Sequence, residues 1–299
     1  MVPILTKLTT IEFNSAKHLV EEFDYSVWDA NVYDQYAQLP ETIKRKPRVG
    51  ELFGRFGFAM QYSGSGTRGT ASKLSTLFTA CGLNEQVNPA TSVIYTPQGP
   101  GYVGNATLDA FIGNTLKHSL TKAAGNLIFE FMAGQPCKLR GSFEGLYTEP
   151  TTASSAASRS TDALEPICKS LAATIGSASL VLKMLRINLG NKLKSPRSDA
   201  TQAGGCQPPV ITSQLPIIEA TFEAPALATL NLFNKFTSET KLAFSAVLGS
   251  ASGNTHTFAV DGFMNKFPAA SDVDEILEQT ITCDMSRESG DTQLTITQT

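Results

Sequence analysis

Short runs in which apolar and polar residues alternate one for one recur along this sequence, and they constrain its fold more than any other feature. Successive side chains of a strand point to opposite faces, so each such run builds a sheet with one dry face and one wet face. In LIFEFM, Leu127, Phe129 and Phe131 share a face. In CKLRGSFEGLY, Leu139, Phe143 and Tyr147 look one way, and Lys138, Arg140, Ser142 and Glu144 look the other. PIIEATFEAP sets Ile218, Ala220 and Phe222 against Ile217, Glu219, Thr221 and Glu223. SLVLKMLRINLG, KLAFSAVLG, NTHTFAVDGF, EQTITCDM and TQLTITQ continue the pattern. Gly134-Gln135-Pro136 suits a hairpin turn, and Gly113-Asn114 centres another. The expectation is a mainly β protein built from antiparallel strands.

Helical signals are few. Ser72 to Cys81 places Leu74, Leu77 and Phe78 on one face, with Gly82 as a C-terminal stop. Ala224 to Phe236 reads as a second helix, with Pro225 in its first turn and Leu227, Leu230 and Phe233 or Asn234 on a face. Ser271 to Glu275, SDVDE, reads as a helix start capped by Ser271. Thr151 to Leu164 is small and polar, as a linker is. It divides the chain into residues 1–150 and 165–299. Each half holds strands, one short helix and more strands, and Gly125-Asn126 in the first corresponds to Gly253-Asn254 in the second. The expectation is a divergent duplication. Asp29 to Arg48 and Gly190 to Pro216 read as long irregular segments, which are often functional.

Gly64-Ser65-Gly66-Thr67-Arg68-Gly69 spells G-x-G-x-x-G between a strand and a helix, the order of a dinucleotide-binding turn. The surroundings argue against it. Phe56, Phe58, Met60 and Tyr62 alternate with Gly57, Ala59 and Gln61, whereas a parallel Rossmann strand is apolar throughout. The next strand, SVIYTPQG, ends without the acidic residue that would hold a ribose. A flexible connection into a short helix is the favoured reading, with a nucleotide-dependent enzyme as the alternative. His18, His118 and His256 have no metal-ligand spacing, and no G-x-S-x-G elbow occurs. No catalytic residue, metal or cofactor is expected.

A formal charge of −3 over 299 residues gives no basic excess for a stable grip on nucleic acid. The basic run Ile43 to Arg48 reads as a solvated loop, with an acidic partner surface as the other reading. The five cysteines are far apart and lack C-x-x-C, so reduced, buried thiols in a cytoplasmic protein are expected. One tryptophan, Trp28, is a poor platform for a carbohydrate-binding sandwich.

Val49 to Thr151 resembles the tail tube proteins of long-tailed bacteriophages. The resemblance rests on four pieces in order: VGELFGRFGFAMQYSGSGTRGTAS, LSTLFTACGL, TSVIYTPQG and AAGNLIFEFMAGQPCKLRGSFEGLYTEPT. LATLNLFNKFTSETKLAFSAVLGSASGNTHTFAV in the second half is similar to the same domain more distantly. The resemblance implies two tandem tube-type β-sandwich or half-barrel domains, each with one short helix. Strands of neighbouring subunits would close a ring-wide barrel. It implies a structural virion protein, assembled in the host cytoplasm into trimeric, pseudo-hexameric rings that stack into a tail tube for DNA delivery. Its partners would be other copies of itself, tape measure, tail terminator and tail-tip proteins, and double-stranded DNA in transit. A tube of a contractile injection or secretion system shares this architecture and stays open as an alternative. Candidate lumen-facing residues are Glu51, Arg55, Gln61, Lys138, Arg140, Glu144, Glu219 and Glu223. Alternation shows a wet face without showing which water it meets, so the outer surface remains the other reading.

Overall fold

A computed structural model describes residues 9–13, 16–36, 44–113, 115–153, 168, 171–202, 204–249, 251–285 and 294–299. The expected linker lies outside the described residues from 154 to 164, as does Asn114. The described residues are mainly β, with two helices of six residues each among them.

The principal strands of the first half are β1 (Trp28–Tyr36), β2 (Lys44–Gln61), β3 (Leu83–Asn88), β4 (Ser92–Pro97), β5 (Ala106–Ile112), β6 (Leu116–Met132) and β7 (Lys138–Thr152). Those of the second half are β8 (Leu182–Asn188), β9 (Ile217–Glu223), β10 (Leu242–Leu248), β11 (His256–Met264), β12 (Ala269–Val273), β13 (Ile276–Met285) and β14 (Thr295–Gln298). Helix α1 is Ser75–Ala80 and α2 is Leu232–Thr237. Shorter strands are named by their residues. Every pairing among the described strands is antiparallel, as the alternation requires.

Six strands form one wall in the order β2, β7, β6, β8, β9, β13. The wall crosses between the halves at β6 and β8. The sheet then continues from β13 to β11, from β11 to β14, and back to β4 and β3 of the first half. It thereby returns over its own dry face. Phe129 and Phe131 of β6 meet Phe258 of β11 with ring centroids 5.6 and 5.1 Å apart. The inward faces are those that the alternation marks: Leu127, Phe129, Phe131, Leu139, Phe143, Ile218, Ala220 and Phe222 are all buried. One contiguous apolar cluster runs through both halves.

Helix α1 lies inside this cluster. Phe78 packs edge-on against Tyr95 of β4 at 4.9 Å and lies 5.8 Å from Phe129. Gly82 ends α1 at φ +71°, a left-handed conformation that glycine adopts without steric cost.

Four expectations need correction. The second helix starts at Leu232, where the Asn231 side chain accepts the Asn234 N–H, so Pro225 and the exposed Leu227 precede it. Leu232 makes its buried contact, and Leu230 is buried just ahead of the cap. Ser271 to Glu275 opens no helix. It runs along β12 into a two-residue turn in which Asp274 and Glu275 both have positive φ, the form that matches the twist of a tight hairpin. Asp29 to Arg48 is largely the β1–β2 hairpin, and Lys44 to Arg48 of the basic run lie within β2; Ile43 is outside the described residues. Gly190 to Pro216 carries two small two-stranded sheets, Asn191–Lys194 with Val210–Gln214 and Arg197–Ser198 with Cys206–Gln207. Asn191 Nδ2 anchors this segment by donating to the carbonyls of Cys81 (2.7 Å) and Gly125 (2.9 Å).

Because Phe258 fills a cluster built from both halves, Phe258→Ala is expected to lower the stability of the whole chain by about 3–5 kcal/mol. Denaturant unfolding followed through Trp28, the single tryptophan and a first-half residue, checks this. An unmoved Trp28 transition would show that the halves unfold independently.

Candidate functional site

The wet face of the six-stranded wall carries an ordered array of paired charges. It follows from register. Gln61 pairs with Lys138, Lys138 with Glu130, Glu130 with Arg186, Arg186 with Glu219, and Glu219 with Thr282. One row thus crosses all six strands, and its four inner members alternate in charge. The residues on either side of Glu130 are the core rings Phe129 and Phe131, so the period of two forces the carboxylate outward.

The charges in and beside this row are paired. Arg140 donates from Nε to Glu130 at 2.8 Å and from Nη1 to Glu22 at 2.6 Å. Lys138 Nζ lies 2.8 Å from Glu21, which also accepts from Gln61 at 2.8 Å. Arg186 bridges Glu130 at 3.5 Å and Glu219 at 3.9 Å. Arg55 meets Glu144 at 3.0 Å, and Lys183 meets Glu223 at 2.7 Å. Five cations therefore face six carboxylates, and each takes part in at least one bridge.

Seven of the eight sequence candidates come together here: Arg55, Gln61, Lys138, Arg140, Glu144, Glu219 and Glu223. Glu51 stands apart, farther along β2, where it accepts from Asn31 Nδ2 at 2.5 Å beside Gly205. Sequence reasoning missed Glu21, Glu22, Glu130, Lys183 and Arg186. Glu130 and Arg186 sit in alternating runs and could have been read from them. Glu21 and Glu22 reach the wall from a short strand, Glu22–Phe23, whose pairing with β2 no periodicity announces.

The glycine fingerprint has a different role. After β2 the chain passes Tyr62 and enters Gly64-Ser65-Gly66, which docks on Gly253-Asn254 of the second half. The Gly66 N–H donates to the Gly253 carbonyl at 3.1 Å. A Cβ on Gly64 would lie 2.5 Å from Asn254 Oδ1, and one on Gly253 would collide with the Gly66 carbonyl carbon. Gly69, at φ +68°, is pressed against the backbone of Ala90. These glycines permit close approach between two loops, and the N–H of Gly66 that would face a phosphate is engaged. The expected flexible connection is a docked loop. Beneath it, Tyr62 Oη lies 2.9 Å from His256 Nδ1 in full burial. Burial holds His256 down to about 4, which keeps the imidazole neutral, and pushes the Tyr62 phenol up. His18 and His118 are buried too, and among the described residues no group of His, Cys, Asp and Glu could hold a metal ion.

The chain matches no known protein-family model, and no curated protein matches it in sequence.

Gly64→Ala forces a methyl group into the loop contact and is expected to cost about 1–3 kcal/mol, against about 1 kcal/mol for Gly134→Ala. Gly134 has φ +76° and open space around it. Equal losses in denaturant unfolding would remove the docking role. The charged wall should also respond to pH. The side chain of Lys138, and then Gln61, hold Glu21 below its ordinary 4.5, and Arg140 does the same for Glu22. Depressed carboxyls contribute stability that is complete above 4.5 and lost as pH falls through their folded values. Glu21 raises Lys138 and Glu223 raises Lys183, so their contribution is complete below 10.5 and lost above it. Thermal midpoints should form a plateau between these limits, and Glu21→Gln/Glu22→Gln should shrink the acid-side fall.

Proposed function

We propose that the chain is a structural tube protein of the phage-tail type, in which both halves are tube domains. Three chains would form a pseudo-hexameric ring, and rings would stack head to tail into a hollow tube that passes double-stranded DNA. The observation that carries this reading is the self-neutralised wall. Affinity for DNA scales with the number of phosphates that Lys and Arg neutralise. A channel for DNA must be wet, yet its cations must be occupied. The wall meets both conditions, since its five cations are bridged to six carboxylates within the sheet. Its residues come from both halves in one continuous surface, as a lumen lined by two fused domains requires.

The β1–β2 hairpin supports the assembly part of the reading. Trp28, Val32, Tyr33 and Val49 are all more than half exposed on it. Val32 and Val49 are cross-strand partners. Exposed apolar strands at a sheet edge are a liability that a closed ring removes. Head-to-tail contacts are heterologous and propagate, which is how a ring becomes a tube.

Negative-stain electron microscopy of concentrated protein, with mass measurement of the particles, tests the proposal. Hollow rings or tubes with three chains per ring are the expected result. Six chains per ring would retain the tube and make the second half an outer decoration. Particles that remain monomeric at every concentration, even with tail-tip proteins added, would overturn it.

A further inference from the structure

Cys137 and Cys168 meet where the turn after β6 touches the beginning of the second half. Their sulfurs are 2.9 Å apart, and both residues are buried, at 0% and 4% exposure. The backbone around the pair is tied on both sides. Gly134 N–H donates to the Cys168 carbonyl at 2.9 Å, Cys168 N–H donates to the Gln135 carbonyl at 2.9 Å, and Tyr62 N–H donates to the Cys137 carbonyl at 2.8 Å. Neither position therefore depends on the sulfur contact alone. Cys81 follows α1, Cys206 lies in the strand Cys206–Gln207, and Cys283 lies in β13.

We propose that Cys137 and Cys168 form a modification site, a latent intramolecular disulfide that covalently joins the β6–β7 turn to the second half when the protein meets a peroxide. Bonded sulfurs sit about 2.0 Å apart, so closure needs roughly 1 Å of movement, within the reach of side-chain torsions. The two thiols are also unequal in access. Cys168 keeps 4% exposure, whereas Cys137 has none. Cys168, the thiol that peroxide reaches first, is thus the nucleophile. Its thiolate attacks one oxygen of hydrogen peroxide, the O–O bond breaks, and hydroxide leaves, giving a sulfenic acid. The Cys137 sulfur then attacks the Cys168 sulfur, the S–O bond breaks, and water leaves with the thiol proton. Two thiols and one peroxide become one disulfide and two waters, with two electrons passing from sulfur to oxygen. Peroxide is small enough to enter where Cys168 retains its slight exposure.

The two cysteines are 31 positions apart, so the cross-link closes a loop over residues 138–167. Closing such a loop restricts the unfolded chain, and a rise in thermal midpoint of about 5 °C is expected.

The test uses the full chain, reduced with dithiothreitol, desalted and treated with hydrogen peroxide under native conditions. Alkylation after denaturation counts the remaining thiols, and non-reducing peptide mass mapping locates any link. Wild-type protein should fall from five free thiols to three. It should yield one linked peptide pair, two hydrogens lighter than its parts, that joins the segments of Cys137 and Cys168. The midpoint should rise and return on reduction. Cys168→Ser should keep all four of its thiols and an unmoved midpoint. Five thiols retained, over-oxidised Cys168 without a link, a link between chains, or a link through another cysteine would each overturn the proposal. The wild-type mass map decides between these outcomes even if the variant fails to fold.

Discussion

The contact between Phe129 and Phe131 of β6 and Phe258 of β11 is the constraint on which the rest of the structure depends. Strand β6 has 17 residues and pairs with β7 along one edge and with β5 and then β8 along the other. It is the hub of the wall. Its inward rings meet a strand that lies far along the chain, so the two halves close over a common interior. Burying several rings of this size contributes far more than any polar contact on the surface, since each buried aromatic side chain is worth about 1.5–3 kcal/mol. Once β6 is set, its neighbours have little freedom. A slip of one residue would drive Glu130 into the aromatic core and bring Phe129 and Phe131 out to water. The core therefore specifies the register of β7 and β8, and register in turn brings Lys138, Arg140 and Arg186 around Glu130.

The charged row is a consequence of that register and adds little to it in energy. Its partners are partly exposed, and pairs of that kind are worth about 0–1 kcal/mol each. Their effect lies elsewhere. Opposite charges on facing positions disfavour the shifted pairings in which like charges would meet. They also leave the face with its cations occupied by carboxylates of the same sheet. A phosphate backbone approaching this surface would have to displace an existing carboxylate at each arginine or lysine, and the carboxylates outnumber the cations. Pairing thus leaves the face wet while its bridged cations are engaged within the sheet.

What could be read from the sequence was local. The dry faces at Leu127 to Phe131, Leu139 to Phe143 and Ile218 to Phe222 follow from a period of two, and α1 follows from Leu74, Leu77, Phe78 and Gly82. The hairpin turn at Asp274-Glu275 was hidden because its two left-handed residues are neither glycine nor asparagine, the usual markers. The β1–β2 hairpin was hidden because a strand exposed on both faces shows no alternation. The start of α2 was misplaced because Pro225 and Leu227 imitate a first turn, whereas the cap that operates is Asn231. Pairing between halves was beyond reach for a different reason: alternation says that a strand has a dry face, and nothing in it names the partner. The same holds within the first half, where nothing in the sequence announces that the strand Glu22–Phe23 pairs with β2, and so Glu21 and Glu22 were absent from the expected site.

The glycine fingerprint shows how far a motif depends on its frame. In a dinucleotide site the glycines free backbone N–H groups to face a phosphate at the start of a helix between parallel strands. Here the preceding strand is antiparallel to each of its neighbours, and the following helix has only six residues. The Gly66 N–H meets a carbonyl of the same chain, and Gly253 supplies the reciprocal approach at φ +81°. Close approach of backbone to backbone and of backbone to phosphate place the same demand on a side chain, namely that there be none. The spacing of glycines therefore records the demand, and only the partner across the gap tells which of the two it serves.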